Sequence, residues 1–204
     1  MNSLIILYPE LFNCYSKFER HVKKYTSNPN EPKIFEIFFK HDCNSFIEKV
    51  CSDAPNLNFG KKLKSMDLAY SKYAIIFDDG ECFNDEIKLL KERGVKCRVI
   101  KIPITRVINI NTDPNFHSYK RSSAYEYIGR GSYWGNPHSM FEKGESRDEV
   151  IRKYKYDFDY DKFPNKSKNE VFKLAGKRLG CFCKPELCHG DVLADYLNSW
   201  DDGE

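Results

Sequence analysis

Three cysteines and a histidine fall within nine residues near the carboxy terminus, in Arg178-Leu-Gly-Cys181-Phe-Cys183-Lys-Pro185-Glu-Leu-Cys188-His189-Gly-Asp191. Thiolate and imidazole are zinc ligands, so Cys181, Cys183, Cys188 and His189 form a possible Zn2+ set. Strand alternation would put Cys181 and Cys183 on one face. Adjacent Cys188 and His189 would point about 100° apart on a helix, which makes four-ligand closure awkward. A second reading is a reactive thiolate: Cys188 near a helix amino terminus, beside His189 and downstream of Lys184, would have its pKa lowered. A third is structural, with buried small residues and a hydrogen-bonded His189 fixing the turn. Spacing alone orders these readings structural, zinc, thiolate, and a pocket wall is favoured over a zinc knuckle.

A second stretch, Tyr127-Ile-Gly-Arg130-Gly-Ser-Tyr-Trp134-Gly-Asn136-Pro137, is expected to face the first. Arg130, Arg147 and Arg178 could hold an anion such as phosphate through forked donors. Trp134 offers a stacking face, and Asn136 both donates and accepts, as base recognition requires. His189 is the candidate general acid or base, because it titrates near neutrality. Asp191 could orient it, although i to i+2 on a helix is poor geometry for contact. The plain alternatives are a Gly-Asn-Pro turn, a core tryptophan and solvated arginines. Taken together, the set favours a nucleotide-sized ligand site.

The rest of the chain must position these groups. Its 204 residues suffice for one large or two small domains, and 41% hydrophobic with 31% charged residues is a globular balance. Net charge is +3, from 33 basic and 30 acidic residues, and the basic ones are not concentrated in one stretch. Direct DNA binding is therefore disfavoured. No apolar run approaches the roughly 20 residues of a membrane span, and the start reads as a strand rather than a signal peptide. A cytoplasmic protein is expected, with Cys14, Cys43, Cys51, Cys82 and Cys97 reduced.

Apolar runs predict strands at 3–8, 34–39, 73–77 and 95–100, with helices over 12–25, 44–51 and 61–71. Asn84 is placed as the cap of a helix that carries Asp85 and Glu86 in its first turn and stops at Gly94. The strand-helix-strand unit from Tyr73 to Ile100 implies a parallel sheet with helices on both faces. Asp78-Asp79-Gly80 ends a strand where such sheets bind ligands, so Asp79 is a candidate for a ribose hydroxyl or a metal-bound phosphate. A solvated turn is the favoured reading of that tripeptide. Further on, strands are expected at 105–110, 125–128 and 178–183. Ser146 and Ser167 each open a capping box, a loop spans 157–165, and a last helix starts at Pro185.

Two resemblances carry this further. Met66-x3-Tyr70-x2-Tyr73-Ala74-Ile-Ile-Phe77-x-Asp79-Gly80, followed by Gly94-Val-Lys-Cys-Arg-Val, resembles the YpsA-related branch of the SLOG superfamily. That resemblance implies a Rossmann-like domain that binds nucleotides or nucleotide-derived ligands. The family's glycine-bearing loops are here Tyr8-Pro-Glu-Leu-Phe-Asn and Lys40-His-Asp-Cys-Asn-Ser, and Lys62-Leu63 stands at its Arg-Asn. Backbone that approaches a phosphate wants glycine, so these departures suggest a shifted ligand or a scaffold that no longer binds. From Tyr127 to about Leu197, the chain resembles domain-of-unknown-function family 4326. The motifs are Ile128-Gly-Arg130, Trp134-Gly-Asn136-Pro137, Ser146-Arg147-x-Glu149, Leu174-x-Gly176-x-Arg178-Leu179 and Cys181-x-Cys183-x-Pro185-x2-Cys188-His189-Gly-Asp191. This resemblance implies a phage or bacterial origin and no assigned reaction.

The expected architecture is α/β: a Rossmann-like domain over 1–103 and a small α/β domain over 104–204. The expected function is directed at a nucleotide or nucleoside in a phage-encoded protein of the host cytoplasm, either processing the ligand or sequestering it. The alternative is a non-enzymatic interaction module, such as a phage inhibitor of a host protein, with its cysteines structural or zinc-bound.

Overall fold

The computed structural model describes residues 2–27, 33–63, 71–116, 122–140, 144–163 and 165–203. The chain divides into two compact units, residues 1–102 with 199–204, and residues 103–198.

The first unit is a five-stranded, all-parallel sheet in the order β3-β2-β1-β4-β5. Its strands are β1 (Asn2–Leu7), β2 (Phe35–Phe39), β3 (Leu57–Lys62), β4 (Tyr73–Asp78) and β5 (Lys96–Lys101). Helices α1 (Tyr15–Thr26), α2 (Phe46–Asp53) and α3 (Asn84–Glu92) alternate with them. Side chains on a strand point alternately to opposite faces, so the apolar runs serve both sides of the sheet. Ile5, Leu7, Ala74 and Ile76 pack with Leu90 of α3. On the other face Phe18 of α1 stacks on Phe77 at 5.0 Å. The helix expected over 61–71 is corrected where it is described, because Lys61 and Lys62 end strand β3. Residues 64–70, including Met66 and Tyr70, lie outside the described residues. Asn84 does not cap α3; Phe83 holds that position, and the Asn84 amide donates to the Gly80 carbonyl at 3.2 Å. The tail closes onto α1: Lys17 pairs with Asp202 at 2.5 Å and Arg20 with Asp201 at 2.8 Å.

The second unit has a three-stranded parallel sheet in the order β6-β8-β7, from β6 (Arg106–Asn109), β7 (Tyr125–Tyr127) and β8 (Arg178–Cys181). Helix α4 (Arg147–Asp159), a 3-10 helix (Lys168–Leu174) and helix α5 (His189–Ser199) cover it. The capping box at α4 is formed: Ser146 Oγ accepts from the Glu149 N–H, and the Glu149 carboxylate accepts from the Ser146 N–H. The box expected at Ser167 is not formed, and Glu170 pairs with Lys173 instead. The 157–165 loop is likewise shortened, since α4 continues to Asp159. Tyr154, Phe158, Val171, Leu179, Leu193 and Leu197 are buried in the core. Asn198 locks α5 to the start of β6, donating to the Thr105 carbonyl at 3.0 Å and accepting its N–H at 2.8 Å.

Candidate functional site

Strand β8 ends at Cys181, and the chain turns through residues 182–188 before α5 begins at His189. Pro185 lies in that turn rather than in the helix, so α5 starts four residues later than expected. Cys188 therefore precedes the helix and is not bound by helical spacing. Its N–H donates to Asp191 Oδ2 at 3.0 Å, and its carbonyl accepts the Asp191 N–H at 2.9 Å, a reciprocal helix-start bracket.

That bracket overturns the expected divergence of Cys188 and His189. Cys188 Sγ lies 3.8 Å from His189 Nδ1. Cys181 Sγ, Cys188 Sγ and a ring nitrogen of His189 all lie within 4.8 Å of one another, on three buried residues. Cys183, half-buried, adds its Sγ at 3.4 Å from that of Cys181. His189 Nε2 sits 2.8 Å from the Ile128 carbonyl, which has only lone pairs to offer. Nε2 therefore carries the proton and Nδ1 its lone pair, facing Cys188. Burial pushes the His189 pKa down, against the opposing pull of the Ile128 carbonyl.

The cysteines of the cluster are shifted in opposite directions. Hydrogen bonds from Cys181 first, then Cys188, hold the Cys183 thiol well below its ordinary value, and the Arg147 guanidinium adds to this. The same contacts, with burial, push Cys188 up. Cys188, expected as a reactive thiolate, is 1% exposed, and its Cys181 and Cys183 neighbours with burial disfavour its thiolate. Asp191 does not orient His189. Its carboxylate takes the Cys188 N–H and an ion pair with Lys184 at 2.7 Å.

The two motif-bearing stretches wall one cavity of about 380 Å3, within the range of small-molecule sites, about 300–1,000 Å3. Arg130, Asn136, Arg147, Cys181, Cys183 and His189 all line it. Arg130 is exposed at its edge, and Arg147 spends one donor on the Leu187 carbonyl at 3.2 Å. Val150, Ile151, Met140, Phe182 and Leu187 give it apolar walls. The loop bearing Arg130 is closely packed: a Cβ on Gly135 would lie 2.6 Å from the Gly129 carbonyl oxygen.

Several expected site residues do other work. Trp134 is 3% exposed and belongs to the core, so its ring has no free face for stacking. Its carbonyl accepts the Tyr154 hydroxyl at 2.9 Å. Asn136 spends its amide on the Val150 carbonyl at 3.2 Å and its oxygen on the His138 N–H at 2.9 Å, which fixes the turn. Arg178 opens β8 and does not line the cavity. Asp79 belongs to the first unit, where its carboxylate takes the Glu81 and Cys82 N–H groups of its own loop.

The sequence reading missed His138. It lines the cavity, and its Nε2 lies 2.7 Å from Asp157 Oδ2. The pair is half-buried and joins a loop to α4 across 19 residues, a separation that carries no periodic signal.

The loop ends of the first sheet are filled from within. Asp42 accepts the Ile47 and Glu48 N–H groups at the start of α2 and the Tyr8 hydroxyl at 2.5 Å. An anion at a helix amino terminus needs those same donors.

The chain matches the minimal SLOG domain over residues 1–108 and the domain of unknown function DUF4326 over residues 115–199. It is 40% identical over 72 residues to an uncharacterized 12.4 kDa protein of Enterobacteria phage T4, encoded in the nrdA-td intergenic region. That alignment covers 35% of this chain and 65% of the phage protein. No solved structure matches. SLOG domains are Rossmann-like and are associated with nucleotide-related ligands, in keeping with the five-stranded parallel sheet. With just over half of its length matched, the chain belongs to the family of minimal SLOG domains.

Proposed function

We propose that the cavity of the second unit binds a nucleotide- or nucleoside-derived ligand, and that the chain is a phage protein acting on or sequestering that ligand in the host cytoplasm. One observation carries this reading: Arg130 and Arg147 stand on the wall of an apolar-sided cavity of about 380 Å3. Guanidinium forks suit phosphate, and Val150, Ile151 and Phe182 suit the flat faces of a base or sugar. The SLOG relationship supports the ligand class, and the T4 relative supports the phage setting. The first sheet serves as scaffold in this reading, because Asp42 already uses the donors at the start of α2. Any proton transfer to the ligand falls to His138, the imidazole on the wall that has a carboxylate partner.

Calorimetric titration of the full chain with mononucleotides, cyclic dinucleotides and ADP-ribose derivatives tests the reading. Saturable heat with at least one of them, weakened by Arg130→Ala, is expected. No heat with any of them, together with a stoichiometric protein partner whose binding ignores nucleotide, would overturn it.

A further inference from the structure

We propose that the second unit holds one Zn2+ between Cys181 Sγ, Cys183 Sγ, Cys188 Sγ and His189 Nδ1, whatever ligand the neighbouring cavity takes. Zinc at about 2.3 Å from sulfur places the ligand atoms of a tetrahedron roughly 3.5–3.8 Å apart. The Cys181–Cys183 and Cys188–His189 separations, 3.4 and 3.8 Å, come close to two such edges. Cys181, Cys188 and His189, mutually within 4.8 Å, form the buried face of the site; Cys183 stands outside that trio, 3.4 Å from Cys181, and closes the tetrahedron by a shift of its side chain when the ion binds.

The surroundings agree with a metal in three independent ways. A zinc-bound histidine characteristically donates its other N–H to a carbonyl or carboxylate, and the Ile128 carbonyl does this at 2.8 Å. Three thiolates and a neutral imidazole leave one negative charge around a divalent ion. The Arg147 guanidinium stands with Cys183 on the wall of the same cavity, where it offsets that charge. Finally, Cys181, Cys188 and His189 are 4%, 1% and 6% exposed, whereas Cys183 is half-buried on the cavity wall. The first three ligands are closed to solvent. Cys183 is the most open of the ligands on the cavity wall, which Cys181 and His189 also line, so zinc and ligand would meet on that side.

The test uses the full chain purified without chelator, incubated with Zn2+ and dialysed before elemental analysis, and in parallel loaded with Co2+. About one equivalent of zinc is expected, with Co2+ giving intense d–d and sulfur-to-metal charge-transfer bands of a tetrahedral thiolate site. Cys183→Ser, a near-isosteric change at a half-buried position, is expected to weaken zinc retention roughly 10-fold or more and to dim the charge-transfer bands. Cys43→Ser, an exposed cysteine of the first unit, leaves both unchanged. Arg130→Ala also leaves zinc content unchanged, which separates this proposal from the ligand reading. Folded wild-type protein holding less than about one-tenth equivalent would overturn it. So would a weak, octahedral Co2+ spectrum, or equal zinc loss in Cys43→Ser and Cys183→Ser.

Discussion

Replacing Gly135 by alanine tests whether the Arg130 loop is held by backbone packing. An added Cβ would lie 2.6 Å from the Gly129 carbonyl oxygen, 3.2 Å from that of Ser132 and 3.3 Å from Arg130 Cα. Ordinary contact starts near 3.4 Å, so the Gly129 carbonyl has to withdraw by about 0.8 Å. That atom is backbone and cannot swing aside as a side-chain tip would. Overpacking of this kind costs about 1–3 kcal/mol, and the rigid partner places Gly135→Ala at about 2–3 kcal/mol. For a unit the size of residues 103–198, each kcal/mol lowers Tm by roughly 4–8 °C. Urea and thermal unfolding of the full chain, followed by the fluorescence of buried Trp134, measure the loss. Displacing Gly129 also moves Arg130, so affinity for the cavity ligand falls in the same variant. A loss below about 0.5 kcal/mol, with ligand affinity intact, would refute the packing argument.

Other outcomes follow from the same geometry. Arg130→Ala is expected to cost about 1.5–3 kcal/mol of ligand binding, roughly 10- to 150-fold in Kd by calorimetry, with unfolding unchanged. Tyr154→Phe leaves the buried Trp134 carbonyl without its hydroxyl donor and lowers stability by about 1–2 kcal/mol in urea titrations. Arg20 holds the Asp201 carboxyl below the ordinary carboxylate range. A depressed folded pKa gives stability that is complete above the unfolded value, about 3.9, and is lost as pH falls through the folded one. Asp201→Asn should therefore lower the neutral plateau and flatten the acid limb, the two proteins converging in stability as pH falls through the folded pKa, which urea midpoints across that range would show.

The parts of the fold written in apolar runs were legible. β1, β2 and β4 are largely buried, and their Ile- and Phe-rich segments state as much; β5, an edge strand, was read from its Val-Ile pair with only Ile100 buried. β3 was not legible, because Leu57-Asn-Phe-Gly-Lys-Lys62 is an edge strand with one buried residue and no alternation to detect. At the site, residue type singled out Arg130 and Arg147, which do line the cavity, since a guanidinium needs no precise neighbour to suggest an anion. Residue type failed for Trp134 and Asn136, whose roles depend on Tyr154, Val150 and His138 contributed by other segments. The Cys188–His189 convergence was hidden by one boundary. A helix begun at Pro185 splays the two side chains, and a helix begun at His189 brings them together. Capping showed the same dependence on context: Ser146 and Ser167 carry the same spacing to a glutamate, and only Ser146 forms the box.

The most direct measurement is a residue-resolved amide NMR titration of the full chain with the nucleotide that gives the strongest calorimetric signal. The account predicts that shift changes concentrate at Arg130, Asn136, His138, Arg147, Ile151 and Phe182, with Asp42, Asp79 and Cys82 unmoved. Changes centred on the loops after β1, β2 and β4, with the cavity residues silent, would contradict it.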